Sequence, residues 1–495
     1  MFSHRLTRRS PATPWERLAL ALALGAAMPF AFSPYDYKWL AILALAGWVA
    51  LLNREHAFKT SFMFGFGWFG FGAWWLVETF HTYGPVSWPL ALFAVVLLGA
   101  FLALLPATWG WLAVKCAGDG VGLMVMFPVL AVAIEWLRGH LLTGLPWTTL
   151  GNLAVDTHAV GWAAQIGVYG LALLPALMAV SLVFLLHPMH RREGAAGLLL
   201  ALACFWLAPQ PYMAEGKEQR AALIQGNIPQ DKKWDAAFLK ATMFRYAQLS
   251  AKAAPQADVI VWPEAAVPFF LSEAPGWDAW FSEQARGWKT PLLFGGLQLQ
   301  RGGVAQNGLF LYVNGREQGF VGKQHLVPFG EYVPEWIPFI HALAPNIADF
   351  RPAQGGAVLK NDETTFGALI CYEAIFSEEA RARVTEGAQV LVNVTNDAWY
   401  DTSPASWQHL QSVRMRAVET GRFVLRAANT GVSAIIAPDG KITASIPWWS
   451  QGAVFGVFRS SDVITPYQRR GDMLLLFLLL PAILVTYWYH FRRRL

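Results

Sequence analysis

Apolar runs at 18–32, 39–52, 62–77, 88–114, 121–136, 160–186 and 195–207 follow one another with short polar breaks, and a last one occupies 473–489. Inside a bilayer the backbone has no water to bond, so runs of this kind are stable there only as helices that satisfy their own amides and carbonyls. The pattern predicts seven spans, then one long polar region, then an eighth span. Composition agrees: a chain that is 55% hydrophobic and 14% charged, with mean hydropathy +0.35, is not a purely soluble globule.

The net charge of +5 does not indicate a nucleic-acid partner, because the basic residues form short clusters beside the apolar runs instead of one patch. Arg5, Arg8 and Arg9 precede the first run, which reads as a span and not a cleaved signal because further spans follow at once. With that end in the cytoplasm, Arg54, Lys59, Lys115, Arg191 and Arg192 fall inside, and mainly Lys38 and Arg138 fall outside. Seven crossings then leave the polar region outside the cytoplasm, and the eighth returns Arg492, Arg493 and Arg494 inside; Arg469 and Arg470 oppose this locally. The expected division is a transmembrane domain at 1–208, an extracytoplasmic domain at 209–466, and a last helix with a basic tail at 467–495.

The polar region alternates strand-like runs with helical ones. Strands are predicted at 221–224, 259–262, 291–297, 308–313, 365–371, 390–394, 424–427 and 432–437, and helices at 234–253 and 406–420. This alternation predicts an α/β fold with one sizeable core.

Three polar groups sit just past apolar runs in this region. Cys371 ends the run T-F-G-A-L-I-C at 365–371, as if a strand delivered a thiol to a sharp turn. A free cysteine also serves as a small buried hydrophobe, but an unpaired thiol in an exported domain is a redox liability, which favours a chemical use. Cys116 and Cys204 lie in or beside apolar runs, so the polar region has no disulfide framework. Glu264 follows D-V-I-V-W-P, where a strand-end acid is commonly just solvated, and Lys323 lies in a loop-like stretch where lysine is usually exposed. Together the three make an acyl-transfer set. The carboxylate takes the thiol proton, the ammonium favours the thiolate and stabilises the oxyanion of a tetrahedral intermediate, and a thioester results. No metal is expected, since the histidines lack ligand spacing and His325 reads as structural; no cofactor is implied.

The motifs W-P-E at 262–264, G-K-Q-H-L-V-P-F-G-E-Y at 322–332 and I-C-Y-E at 370–373 resemble the carbon-nitrogen hydrolase (nitrilase) superfamily. That likeness implies a Glu-Lys-Cys triad in an αββα sandwich, and it covers about 221–457. The whole layout is similar to the membrane branch of that superfamily, the apolipoprotein N-acyltransferases. I-Q-G-N-I-P-Q at 224–230 with Trp234 resembles that family's opening strand, and E-W-L-R-G at 135–139 with T-G-L-P-W at 143–147 its membrane-side signature.

The resemblance implies Glu264 as general base, Lys323 as oxyanion stabiliser and Cys371 as nucleophile. It implies Glu331 and Glu373 as supporting acids and Trp234 and Tyr372 as pocket residues. It implies a phospholipid acyl donor and a diacylglyceryl lipoprotein as acceptor, in a bacterial inner-membrane enzyme with its catalytic domain in the periplasm. A monomer is expected. The stretch 332–350 carries Trp336, Ile337, Phe339, Ile340 and Leu343 without clear period, either as a packed loop or as a hydrophobic lid admitting acyl chains to Trp336 and Phe339. Trp448 and Trp449 read as interface anchors.

A membrane-anchored amidase or nitrilase-type hydrolase would share the acyl-enzyme, with water as second nucleophile, but a soluble substrate does not require seven spans. A transporter or non-catalytic lipid-binding protein would line a pathway with intramembrane charges. Ionisable residues in the runs are scarce, with Glu135 and Glu78 near segment ends.

Overall fold

The computed structural model describes residues 13–84, 86–117, 121–300, 302–335 and 349–492. The chain forms two compact units, one of Met1–His81, Ser87–Gln210 and Arg470–Leu495, the other of Thr82–Val86 and Pro211–Arg469.

The first unit is helical. Its first helix, Pro14–Ala27, opens on a capping box: the Thr13 hydroxyl accepts from the Glu16 amide and the Glu16 carboxylate accepts from the Thr13 amide. Among the described residues two helices are long and apolar enough to cross a membrane, Trp88–Ala117 and Leu123–Thr143. A third qualifies if His158–Leu171 and Leu173–Leu186, bent by 67° at their junction, act as one span. The runs predicted as spans at 18–32, 39–52, 62–77 and 195–207 form helices of only 14, 14, 16 and 16 residues. The run at 18–32 extends past its helix because apolar residues also fill the turn that follows, Met28–Ala31.

Helix contact in this unit depends on missing side chains. A Cβ on Gly25 would lie 1.9 Å from the Phe64 carbonyl oxygen, and one on Gly67 would lie 2.2 Å from that of Leu22, so both positions need glycine for the two backbones to approach. The two halves of the membrane-side motif also meet. Buried Arg138 donates to the carbonyls of Leu145 (2.7 Å) and Trp147 (2.6 Å) and to the Glu135 carboxylate (2.8 Å), which accepts in turn from the Leu150 amide at 3.1 Å. This ion pair stitches the irregular segment after the helix to the helix end.

The second unit is an αββα sandwich. One sheet contains β1 (Glu218–Gln225), β2 (Val259–Val261), β3 (Val267–Phe270), β4 (Leu292–Gln300), β5 (Val304–Val313), β6 (Arg316–Gly322) and, at its far edge, β13 (Gly452–Arg459). The other contains β7 (Val358–Lys360), β8 (Thr365–Ile370), β9 (Val390–Thr395), β10 (Val424–Ala428), β11 (Ser433–Ile436) and β12 (Ile442–Ile446). Spatial order is β13-β1-β2-β4-β5-β6, with β3 beside β4, and β12-β11-β10-β9-β8-β7. The triplets β1-β2-β4 and β8-β9-β10 are parallel, and the outer pairs are antiparallel.

The two-residue period of a strand explains the layering. Ala221, Leu223, Val259 and Val261 face the other sheet, where they pack with Ala368, Ile370, Val390 and Val392. Their alternates, Ala222, Ile224 and Ile260, face Met243, Tyr246 and Phe281 on the helices Ala236–Ala253 and Pro275–Trp288. On the far side Leu369, Leu391 and Val424 meet Ala380, Val384, Val413 and Ala417 of Ser377–Thr385 and Ala405–Thr420. Strands buried on both faces read as unbroken apolar runs, which is why their ends mark polar residues so sharply.

Candidate active site

In a parallel α/β sheet, functional groups collect beyond the carboxyl ends of the strands. Here Glu264 lies past β2, Cys371 immediately past β8, and Asn396 and Asp397 past β9, while Lys323 directly follows β6.

Cys371 does not continue its strand. It opens a short 3-10 turn, Cys371–Ile375, with φ at +52°, a left-handed conformation that costs a non-glycine residue about 1–2 kcal/mol. Two buried groups hold it there. The Glu373 carboxylate accepts from the amides of Ile370 (2.7 Å), Gln324 (2.6 Å) and His325 (3.1 Å), joining the cysteine turn to the loop after Lys323. His409 Nε2 lies 3.1 Å from the Cys371 carbonyl oxygen. Burial and then the nearby Arg426 lower the His409 pKa against the pull of Asp397, and the two ring nitrogens face the Cys371 carbonyl and the Asp397 carboxylate. Asp397, 3.3 Å from His409 Nδ1 and 2.6 Å from Arg426, completes the support.

Lys323, 1% exposed, places its ammonium 2.8 Å from Glu331 Oε1 and 3.7 Å from Glu264 Oε1. The Asn307 amide nitrogen lies between the same two oxygens, donating to Glu264 at 2.8 Å and reaching Glu331 at 3.5 Å. The second Glu264 oxygen accepts from the Asn396 amide at 2.9 Å, and the second Glu331 oxygen from the Val327 amide at 2.8 Å. Both carboxylates are therefore oriented at each oxygen.

Burial alone would push the Lys323 ammonium down, but Glu331 and Glu264 outweigh it and the net shift is upward, so the cation persists across the physiological range. Burial pushes the Cys371 thiol up to about 12, with Glu264 adding to the effect and Lys323 and the Thr395 hydroxyl opposing it. At neutral pH the thiol therefore stays protonated. Lys323 favours the thiolate, but desolvation outweighs its attraction. The proton must leave as the bond forms, which requires a base in place, and the arrangement suits concerted attack on an acyl carbonyl beside a fixed ammonium.

Two family descriptions match this chain: Carbon-nitrogen hydrolase over residues 220–465 and Apolipoprotein N-acyltransferase N-terminal domain over 24–181. Apolipoprotein N-acyltransferase from Geobacter metallireducens is 34% identical over 93% of this chain and 93% of its own length. The protein of the same name from Nitrosomonas europaea is 36% identical over 92% and 94%. The chain belongs to the apolipoprotein N-acyltransferase family. Among solved structures, an amidase from Nesterenkonia sp. is 19% identical with a TM-score of 0.40, covering 53% of this chain and 97% of that one.

Against the residues predicted from sequence, Glu264, Lys323 and Glu331 share one hydrogen-bonded cluster with charges felt by Cys371, and Glu373 lies behind it as a backbone anchor. Tyr372 is buried, edge-on to Phe376 at 5.0 Å, and His325 stacks on the same ring at 3.9 Å, the structural role expected of it. Trp234 is 49% exposed at the end of the short helix Gln230–Lys233. Trp336 and Phe339, with the rest of 336–348, lie outside the described residues. Trp448 packs edge-on to Trp407 at 5.8 Å.

Asn307, Asn396, Asp397 and His409 were missed by sequence reasoning, although the strand-end pattern that marks Glu264 also marks Asn396 and Asp397 after V-L-V-N-V-T. Asn307, inside β5, and His409, inside a helix, carry no local signal.

Proposed function

We propose that this protein transfers a fatty acyl chain from a membrane phospholipid to the N-terminal amine of diacylglyceryl-cysteine in apolipoproteins, through a thioester on Cys371. The observation that carries the mechanism is the fixed Glu264–Lys323–Glu331 cluster beside a thiol presented at positive φ. Glu264 takes the thiol proton as sulfur attacks the ester carbonyl, and Lys323 stabilises the oxyanion. Collapse expels the lysophospholipid oxygen, which receives the proton from Glu264. The acceptor amine then attacks the thioester, Glu264 removes its proton, and the sulfur leaves and is reprotonated. Glu331 orients Lys323, and Glu373 holds the cysteine turn. Trp234 and Tyr372 line the approach.

In this reading 1–208 and 467–495 form a multi-pass domain of eight spans in the bacterial inner membrane, and 209–466 is the periplasmic catalytic domain of a monomer. The short helix Ala57–Gly72 crosses by pairing with the longer Trp88–Ala117 through close glycine contacts such as Gly65 against Ala103. The membrane unit favours a lipid donor over the soluble substrate of an amidase.

Intact mass spectrometry after incubation with phospholipid alone tests the reading. A hydroxylamine-labile gain of one acyl group on wild type and none on Cys371→Ala is expected. An unmodified wild type that hydrolyses a soluble amide would replace this reading with the amidase one.

A further inference from the structure

The buried charges described so far do not balance. Asp397 and Arg426 neutralise each other at 2.6 Å, but Glu264 and Glu331 share the single cation Lys323, leaving one net negative charge beside a thiol that must shed a proton. Such a pocket resists creating a further anion.

A second ammonium is present. Lys233, the last residue of the helix Gln230–Lys233, is 5% exposed although its neighbours Asp231 and Lys232 are exposed. Its Nζ donates to the main-chain carbonyl of Glu264 at 2.9 Å and lies 5.9 Å from the Trp234 ring centroid. Among the described residues that is its one hydrogen bond, so two of its three N–H donors are uncommitted. Lysine is rarely buried unless paired, and the ionisable groups whose charges act on this one are Glu264 and Cys371, with Lys323 and Glu331 in the same cluster beyond them.

We propose that Lys233 is a positioning residue for the acyl-transfer step, the fourth charge that makes the resting pocket neutral and eases loss of the Cys371 proton to Glu264. The inference rests on the thioester reading above. Its position also ties the Glu264 segment, where Ala265 takes a φ of +43°, to the Trp234 corner of the site. Burial lowers the ammonium to about 8, against the pull of Glu264 and Cys371, so the charge is in place at neutral pH and fades above that value.

The test is single-turnover acylation of full-length protein by phospholipid in detergent, followed by intact mass from about pH 5 to 9, with wild type alongside Lys233→Gln, Lys233→Met and Lys233→Arg. Glutamine keeps a donor for the Glu264 carbonyl without the charge, and it carries the test if the methionine variant does not fold. Removing a cation makes nearby protons harder to lose. The acidic limb of the Gln and Met profiles therefore shifts upward by about one pH unit, about ten-fold in rate at fixed pH on that limb. Arginine keeps the limb at the wild-type position, and the Gln deficit narrows above pH 8. A structural defect would lower the rates and leave the limb unmoved, so coincident limbs in wild type and Lys233→Gln overturn the proposal. Absence of any adduct on wild type would instead remove the thioester reading itself.

Discussion

Glu373→Gln separates the support of the nucleophile from its chemistry, because the substitution keeps the size of the side chain and touches none of the reacting atoms. In the native turn one carboxylate oxygen accepts from Gln324 and His325 and the other from Ile370, with Arg383 3.4 Å away. A glutamine can keep its oxygen on the first pair only by turning its NH₂ toward the Ile370 amide, so a 2.7 Å charge-assisted bond becomes a donor facing a donor. Arg383 loses one carboxylate and retains Glu379 at 2.9 Å. A lost hydrogen bond to a buried charge is worth about 1.5–3 kcal/mol, and the stranded amide brings the sum to about 3 kcal/mol. That exceeds the roughly 1–2 kcal/mol stored in the left-handed Cys371, so the turn relaxes and the thiol leaves its alignment with Glu264 and Lys323. The expected result is acyl-enzyme formation slowed more than about 100-fold, by intact mass in a single turnover, with the protein still folded by its fluorescence melting curve. A rate within about five-fold of wild type would refute the claim that Glu373 holds the nucleophile in place.

Two further outcomes follow from the buried network behind the cysteine. A Cβ on Gly431 would lie 2.2 Å from Asp397 Oδ2, which Arg426 holds in place, so Gly431→Ala should destabilise by about 1–3 kcal/mol, read as a lowered melting temperature. Burial would raise the Asp397 carboxyl, but Arg426 and His409 overcome it and hold it below the ordinary 3.8; the stabilisation is thus present above that pH and lost as pH falls through the lower folded value. Asp397→Asn should therefore melt well below wild type at pH 7, by about 3 kcal/mol for a broken buried pair, with the gap closing below about pH 4; a gap independent of pH would contradict this.

The site was legible where apolar runs end abruptly. Glu264 and Cys371 come after strands buried through to their last residue, so the first charged or nucleophilic side chain stands out, whereas Lys323 follows β6, of which only the last two residues are buried. Strands with mixed faces were not legible. β12 and β13 alternate burial along their length, and Arg316, Glu317 and Gln318 at the start of β6 are exposed, so the apolar pattern there is thin or broken. In the helical unit hydropathy located the apolar segments but ran through their breaks, because a glycine break such as Gly167 and the turn at Met28–Ala31 leave no mark on a hydropathy trace. Lys233 was invisible for a different reason: only the closed pocket shows that this lysine is buried among exposed neighbours.

The edge of the first sheet has a consequence for biogenesis. β1 and β13 pair residue for residue from Glu218↔Arg459 to Gln225↔Gly452, and Arg459 closes on Glu218 at 2.7 Å. The strand made first in this unit waits for the strand made last, and at translation rates of about 5–20 residues per second the roughly 240 residues between them take about 10–50 seconds to synthesise. Until then β1, which leads toward the Asn227–Lys233 corner of the site, offers an unpaired edge to any other extended chain nearby. A nascent chain stalled before Gly452 is therefore the form of this protein most exposed to mispairing, and completion of the sheet marks the point at which it becomes safe from its neighbours.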